Sequence, residues 1–147
     1  MPIIGFNFTK LAAEKKEGII SEKIESDLRL IDILPEKIDI SNSSEVVRFV
    51  FEFEIVYGSA GNALLSGNVL YMDEPKEIKN MLTQWSSNRK IKTELMAQVL
   101  NAILFRCNVK ALSLEQDVAL PPHFKLPRIN QKTSDGLEKK PSNPLSN

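Results

Sequence analysis

The sequence has few of the residues that build most catalytic and metal centres. Its 147 residues include one cysteine, Cys107, and one histidine, His123. A single chain therefore cannot form a disulfide, a cysteine-based zinc site or any site that needs two histidines. The sequence also lacks a glycine-rich phosphate loop and a nucleophile-elbow pattern. We therefore expect a protein that is not an enzyme and that has no catalytic residues, metal or cofactor.

The chain also has no excess of charge of either sign. Its 19 basic side chains balance 19 acidic ones, so bulk attraction to nucleic acid or to anionic membranes is not expected. The N-terminal residues lack the pattern of a secretory signal, and the longest uncharged stretch, residues 57–72, is too short to span a bilayer. These absences predict a soluble, cytoplasmic protein without membrane insertion.

The composition favours one folded domain. Hydrophobic residues make up 42% of the chain, which is enough for a single core. The last segment, residues 130–147, has only Leu137 and Leu145 as apolar side chains and cannot bury enough surface to become ordered. We expect a domain over residues 1–129 and a flexible polar tail over residues 130–147.

The first half of the domain has the period of strands. In residues 46–57, Phe49, Phe51 and Phe53 fall on one face, whereas Glu52 and Glu54 fall on the other. Residues 3–10, 27–34 and 64–72 predict three more strands, of which the second is apolar on both faces and the last has an internal glycine that marks a bulge or a close approach. The glycine-rich residues 58–62 predict a hairpin, so the last two strands pair antiparallel.

The second half has the period of helices. Asp73 is placed to cap a helix with Pro75 in its first turn, and an interruption follows at residues 86–88. A second helix is predicted from about residue 90 to 111, with a wide apolar face. The fold class is therefore α+β, a four-stranded antiparallel sheet with two C-terminal helices on one side. Because about 22 helical residues extend ~33 Å, more than such a sheet needs, we expect this helix to contact another copy of the chain.

A proline-rich apolar segment follows the second helix. Pro121, Pro122 and Pro127 exclude helix and weaken strand pairing, while Phe124 and Leu126 keep the segment apolar. Such a segment should lie across the body of the protein. Together with the helices it gives the chain more apolar surface than one sheet can cover, which predicts an oligomer interface, a groove for apolar clients, or both.

Four residues that could carry chemistry are better explained by ordinary structure. Glu52 and Glu54 share a strand face and could form a carboxylate pair, but a solvated polar face is the simpler interpretation. His123 has no acid–base partner nearby in the sequence, so we expect a packed ring. Cys107 falls on the buried face of the long helix and is expected to be an inert thiol.

Several short motifs resemble the SecB export chaperone family over residues 3–129. They are the opening Phe-Asn-Phe-Thr-Lys (6–10), the hairpin of residues 45–71, and the Asn-Ala-Ile-Leu helix (101–104) that leads into Leu-Pro-Pro-His-Phe (120–124). The most specific part is residues 119–129, because the family has a proline-rich element after its last helix.

This resemblance implies an ATP-independent holdase, a tetramer built as a dimer of dimers that holds unfolded polypeptides, including proteins for export, in hydrophobic grooves. The matching groove residues are Phe6, Phe8, Leu28, Leu30, Phe124 and Leu126. The helix stripe that matches the contact between dimers is Ile78, Met81, Leu82 and Trp85. Exporting members bind the motor ATPase SecA through an acidic surface and tail, and this near-neutral, lysine-containing tail does not carry that partnership over.

Three alternatives stay open. The first is also a polypeptide-binding chaperone, since a related branch of SecB-like proteins serves one antitoxin. From another class, a hotdog-like acyl thioesterase also packs a long helix on an antiparallel sheet, and Glu94 is the acidic residue it would use. A lipid-binding cup would require a closed cavity within one chain.

Overall fold

A computed structural model describes residues 3–20, 23–41, 44–127 and 129. In this part of the chain the strands come first and the helices follow, in agreement with the predicted change of period. The elements are β1 (Ile3–Lys15), β2 (Glu25–Ser41), β3 (Ser44–Val56), a 3₁₀ turn (Gly58–Ala60), β4 (Gly61–Asp73), α1 (Pro75–Asn88) and α2 (Thr93–Asp117). The predicted tail, residues 130–147, lies outside the described residues.

The strands form one antiparallel sheet in the order β1-β4-β3-β2. β2, β3 and β4 are joined as consecutive hairpins, whereas β1 and β2 follow one another in the chain but lie at opposite edges. This is a Greek-key arrangement. Both helices pack on the sheet and contribute to one core, so the predicted fold class is confirmed.

Alternation along β3 decides which face of the sheet is buried. The side chains of Phe49, Phe51 and Phe53 are at most 1% exposed, and Ile55 on the same face is fully buried. Burying a side chain of this size contributes about 1.5–3 kcal/mol to stability. Burying the face with these four side chains is therefore more favourable than burying the opposite face of β3. The two helices cover that face, which we call the helix side of the sheet.

The glycine predicted to mark a bulge or a close approach, Gly67, marks both. The register of β1 against β4 shifts between Phe8 and Lys10, opposite this glycine. A Cβ at Gly67 would lie 2.2 Å from the carbonyl oxygen of Asn7 and 2.8 Å from Cζ of Phe51. The glycine therefore lets β1 and a core aromatic ring approach β4 closely.

The prediction that the second strand is apolar on both faces is wrong. β2 has a bulge at Ile31, where the register against β3 shifts between Leu30 and Asp32. The extra residue returns Ile33 to the helix side, where it pairs with Phe49 and is 3% exposed. The change of alternation in the sequence records a bulge, not a strand buried on both faces.

α1 begins one residue later than predicted. The N-cap is Glu74, and Asp73 ends β4, where its Oδ1 accepts the backbone N–H of Glu74 and its Oδ2 accepts the hydroxyl of Tyr71. Pro75 opens the helix as expected. The helix runs through the predicted interruption to Asn88 and ends with Arg89 in the left-handed conformation, φ 57°.

α2 has 25 residues and extends to Asp117, beyond the predicted end at Ala111. It continues because Glu115 extends the buried row that every fourth residue forms, namely Val99, Ile103, Cys107, Ala111 and Glu115. By length and composition this helix could also cross a membrane. In this fold its buried row packs on the sheet.

The helix stripe predicted to face another copy lies mostly in the chain's own core. Ile78, Met81 and Trp85 are 1%, 4% and 7% exposed. The reason is that α1 lies on β3 and β2, so its apolar stripe is already used to cover the sheet. Of the four residues only Leu82 keeps appreciable accessible surface, and its contact with another copy stays a prediction.

Candidate binding groove

β2 presents a row of apolar side chains that the helices leave partly open. Leu28 pairs with Phe53 and Leu30 with Phe51, so both leucines point to the helix side. Both are nevertheless only half-buried. α2 crosses β4 and β1, while α1 lies over β3 and part of β2, so the first half of this edge strand lies beside the helices instead of beneath them.

Three open pockets follow one another along β2. The first lies where Lys23 and Ile24 face residues 122–127 and has a volume of about 790 Å³. The second, about 460 Å³, lies between Leu28, Leu30 and the side chains of α2. The third, about 750 Å³, lies between α1 and residues 32–35. We call the three together the β2 groove, which extends ~35 Å because a strand rises about 3.3 Å per residue.

A polar cluster joins the second and third pockets. The Nε1–H of Trp85 donates to Oδ1 of Asp32 at 3.0 Å, and Nη1 of Arg89 lies 3.6 Å from the same oxygen. The guanidinium carbon of Arg89 also lies 5.0 Å from the centre of the Trp85 indole ring. The bulge at Ile31 aims Asp32 at α1. This cluster was not predicted from the sequence, although the change of alternation at Ile31 indicated the bulge that directs Asp32 toward α1.

The first pocket is walled by the segment after α2, residues 120–127, which we call the arm. Phe124 and Leu126 line the pocket and are 44% and 47% exposed. The arm has no regular secondary structure, as its prolines predicted, and it lies beside the start of β2. Exposed apolar side chains here give the groove an apolar wall.

A buried polar network lies behind the arm. Nδ1 of His123 lies 2.8 Å from Oε2 of Glu115, and its Nε2 lies 2.8 Å from Oδ1 of Asn108. The hydroxyl of Tyr57 donates a hydrogen bond to the same Glu115 oxygen. Burial, together with the neighbouring carboxylate, raises the pKa of Tyr57. The His123 ring is packed as predicted, but its partners were missed because they are 8 and 15 residues away on another element.

The other predicted groove residues lie at the opposite edge of the sheet. Phe6 and Phe8 on β1 contact each other at 5.1 Å between ring centres, and both contact Phe51. The guanidinium carbon of Arg106 lies 4.8 Å from the centre of the Phe6 ring. Because adjacent strands are about 4.8 Å apart, β4 and β3 separate this cluster from β2 by ~14 Å. Within one chain the six residues therefore do not form one continuous groove.

The remaining candidates for chemistry take structural roles. Glu52 and Glu54 lie on the sheet face opposite the helices, where Arg29 contacts them at 2.6 and 3.4 Å. Cys107 is fully buried, and burial raises the pKa of its thiol to about 12, so it is poorly reactive. Glu94 lies exposed in the first turn of α2, where it complements the helix dipole.

No protein-family model matches the chain, and no curated protein matches it. A search of solved structures found a SecB-like chaperone of Mycobacterium tuberculosis in complex with a ChAD peptide from the HigA1 antitoxin. The match has 17% sequence identity and a TM-score of 0.46, and it covers 88% of this chain and 90% of that one.

Proposed function

We propose that this protein is an ATP-independent holdase chaperone that binds segments of non-native polypeptide in the β2 groove. The observation that carries the proposal is the open apolar groove beside an edge strand. A client segment could place apolar side chains in successive pockets, since alternate residues of an extended chain repeat about every 6.6 Å. Such binding depends on many weak apolar contacts and not on one sequence.

The unpaired edge of β2 supports the same function. In the described residues β2 pairs with β3 on one side only. An edge strand offers backbone N–H and C=O groups to an added strand, which is a common way to bind extended peptides. A client could therefore combine backbone pairing with the apolar contacts of the groove.

We further propose that the protein works as a homo-oligomer, a tetramer built as a dimer of dimers, in the cytoplasm. The outer face of α2 supports the oligomer, because Phe105 and Val109 are 70% and 57% exposed there. Both side chains point away from the row that packs on the sheet, so their surface is available to a second copy. Oligomer contacts would then use α2 more than the α1 stripe.

Two client classes fit the groove, and the sequence resemblance names both. A general holdase, including one that serves export, would accept many unrelated segments, whereas an antitoxin-dedicated chaperone would bind one segment tightly. Affinity across a panel of peptides of unrelated sequence distinguishes the two, since only the dedicated chaperone would show one strong outlier.

The test is suppression of aggregation without ATP. The protein is mixed with a chemically denatured client on dilution, and light scattering is followed. We expect Leu28→Ser together with Phe124→Ser to weaken the suppression about tenfold, because each removes apolar contact surface from the groove. The single tryptophan, Trp85, lines two of the pockets, so its fluorescence reports occupancy directly.

The matched control is Ile19→Ser. Ile19 is 80% exposed in the connection between β1 and β2 and does not line the groove, so it should suppress aggregation as well as the wild type. Equal suppression by the groove variant and by the control, with unchanged Trp85 fluorescence on adding client, would remove the groove assignment.

A further inference from the structure

The arm is attached to the body of the protein at two points. Among its described residues, Leu120 is 6% exposed and the side chain of His123 is 3% exposed. Phe124 and Leu126, which wall the first pocket, are nearly half exposed and therefore have little apolar burial to hold them. The position of this wall must depend on the anchors that precede it.

The first anchor includes a strained turn at the end of α2. Ala119 has a left-handed backbone, φ 59°, in a conformation that favours glycine. The N–H of Leu120 donates to the carbonyl of Glu115 at 2.8 Å, which closes the turn and brings Leu120 into the core. This turn reverses the chain at the point where the arm starts.

The second anchor is a polar contact on the same helix. The His123 ring lies between Glu115 and Asn108, with both ring nitrogens in hydrogen-bond distance, and its centre lies 6.2 Å from that of the Phe53 ring. Glu115 is 1% exposed, and its Oε2 is also hydrogen-bonded by Tyr57. A carboxylate buried this deeply is costly unless partners satisfy it, and here Oε2 has two partners while Oε1 has none among the described residues. The contacts to Oε2 therefore hold both the end of β3 and the arm against α2.

We propose that His123 is a positioning residue, whose contacts with Glu115 and Asn108 set Phe124 and Leu126 as the wall of the first pocket and so determine how tightly that pocket holds a polypeptide segment. The inference deepens the proposed function and rests on it for its binding consequence. Its structural consequence, the placement of the arm, does not depend on any client. The ring centres of His123 and Phe124 are 4.8 Å apart, so a movement of the first ring displaces the second directly.

The test compares two substitutions at one position. His123→Leu keeps an apolar side chain of similar bulk but makes no hydrogen bond, whereas His123→Asn keeps an N–H group near the position of Nδ1 that can donate to Glu115. Hydrogen exchange of the backbone amides of residues 123–126 reports the arm. Fluorescence anisotropy of a labelled, reduced and carboxymethylated polypeptide reports binding to a permanently unfolded chain. The matched control is Gln116→Ala, on the exposed side of the same helical turn as Glu115.

We expect His123→Leu to speed exchange in the arm at least tenfold and to weaken binding of the unfolded polypeptide about tenfold, since a hydrogen bond to a buried carboxylate is lost. His123→Asn should stay within about threefold of the wild type in both measurements because it keeps the bond to Glu115. Gln116→Ala should match the wild type. Exchange in β3 serves as the check on folding.

Unchanged exchange and binding in His123→Leu would overturn the inference, and so would equal losses in His123→Leu and His123→Asn. If leucine also disturbs β3, His123→Gln supplies the same comparison, because its longer side chain places the amide near the position of Nε2, toward Asn108, and loses the bond to Glu115. A wild-type protein that does not bind the unfolded polypeptide would contradict the proposed function, while the exchange rates would still decide whether His123 positions the arm.

Discussion

The two edges of the sheet carry similar apolar residues but present them differently. At the β1 edge, Phe6 and Phe8 are half-buried and contact Phe51, and the guanidinium group of Arg106 on α2 lies over the Phe6 ring, so they form part of an aromatic cluster. At the β2 edge, Leu28 and Leu30 face open pockets. The difference arises from the path of α2, which crosses β4 and β1. All four side chains are half-buried, so the two edges differ in what surrounds those side chains, which is other rings and Arg106 at the β1 edge and open pockets at the β2 edge.

The largest expected effect tests how tightly the β1 edge is closed. Gly67→Ala places a methyl group 2.2 Å from the backbone oxygen of Asn7, which cannot move without shifting β1. We expect the free energy of unfolding to fall by about 2–4 kcal/mol in a denaturant titration. The control is Gly5→Ala, whose new methyl group would lie 3.2 Å from the flexible end of Leu70 and should change stability by less than about 1 kcal/mol. Equally small effects of the two substitutions would mean that this edge is not tightly packed.

A second pair of substitutions compares the two edges directly. Phe6→Ala should lower the free energy of unfolding by about 2 kcal/mol, because it removes stacking on Phe51 and the contact with Arg106. Leu30→Ala should cost about 1 kcal/mol in the same titration, since its half-buried side chain is smaller and faces an open pocket, and should instead weaken binding of unfolded polypeptide. If Leu30→Ala were the more destabilising of the two and left client binding unchanged, the β2 edge would be core and not a groove.

The buried contact between Tyr57 and Glu115, which lies behind the arm, can be tested through the pH dependence of stability. Burial raises the pKa of Tyr57 above its unfolded value of about 10, so its contribution to stability is complete below pH ~10 and is lost as the pH rises further. Above pH ~10 the stability of the wild type should therefore fall more steeply than that of Tyr57→Phe, by up to about 1.4 kcal/mol per pH unit. Urea titrations at several pH values from 9 to 11, a range set about the ordinary tyrosine pKa of ~10, measure the two slopes. Parallel slopes would show that the hydroxyl is not buried against Glu115.

The smallest expected effect concerns the turn that starts the arm. Ala119→Gly should raise the free energy of unfolding by about 0.5–1 kcal/mol, because glycine adopts the left-handed conformation without steric strain. Thermal unfolding at neutral pH measures the change. Ser113→Gly, at an exposed position inside α2, is the control and should destabilise by about 0.5–1 kcal/mol. A loss of stability in both variants would mean that Ala119 is not strained.

The sheet could be predicted from the sequence because its signals are local. The alternation of Phe49, Phe51 and Phe53 identifies a strand and its buried face, and the glycine-rich turn identifies the hairpin. The bulge at Ile31 was visible as a change of alternation but was interpreted as a strand apolar on both faces. The roles of Asp32 and Arg89 could not be predicted, because their contact joins an edge strand to the end of a helix 57 positions later in the chain.

The residues of the candidate site also divide into those that the sequence could predict and those that it could not. Phe124 and Leu126 could be identified because exposed apolar residues in a proline-rich segment need a surface to lie on. The partners of His123 could not, since periodicity places Glu115 on the buried face of α2 but does not say which polar groups meet it there. For the same reason Phe6 and Phe8 were grouped with Leu28 and Leu30, although two strands separate them in the sheet.

The sequence by itself determined the class of every element, their order, the buried face of the central strands and the chemical character of the arm. These properties follow from the spacing of apolar residues along the chain, which the backbone geometry of strands and helices converts into faces. Only the tertiary structure decided that β2 is the open edge, that the apolar stripe of α1 belongs to the core, and that His123 meets Glu115. Those outcomes depend on which elements cross in space, and the spacing of residues along one element carries no information about its neighbours in the fold.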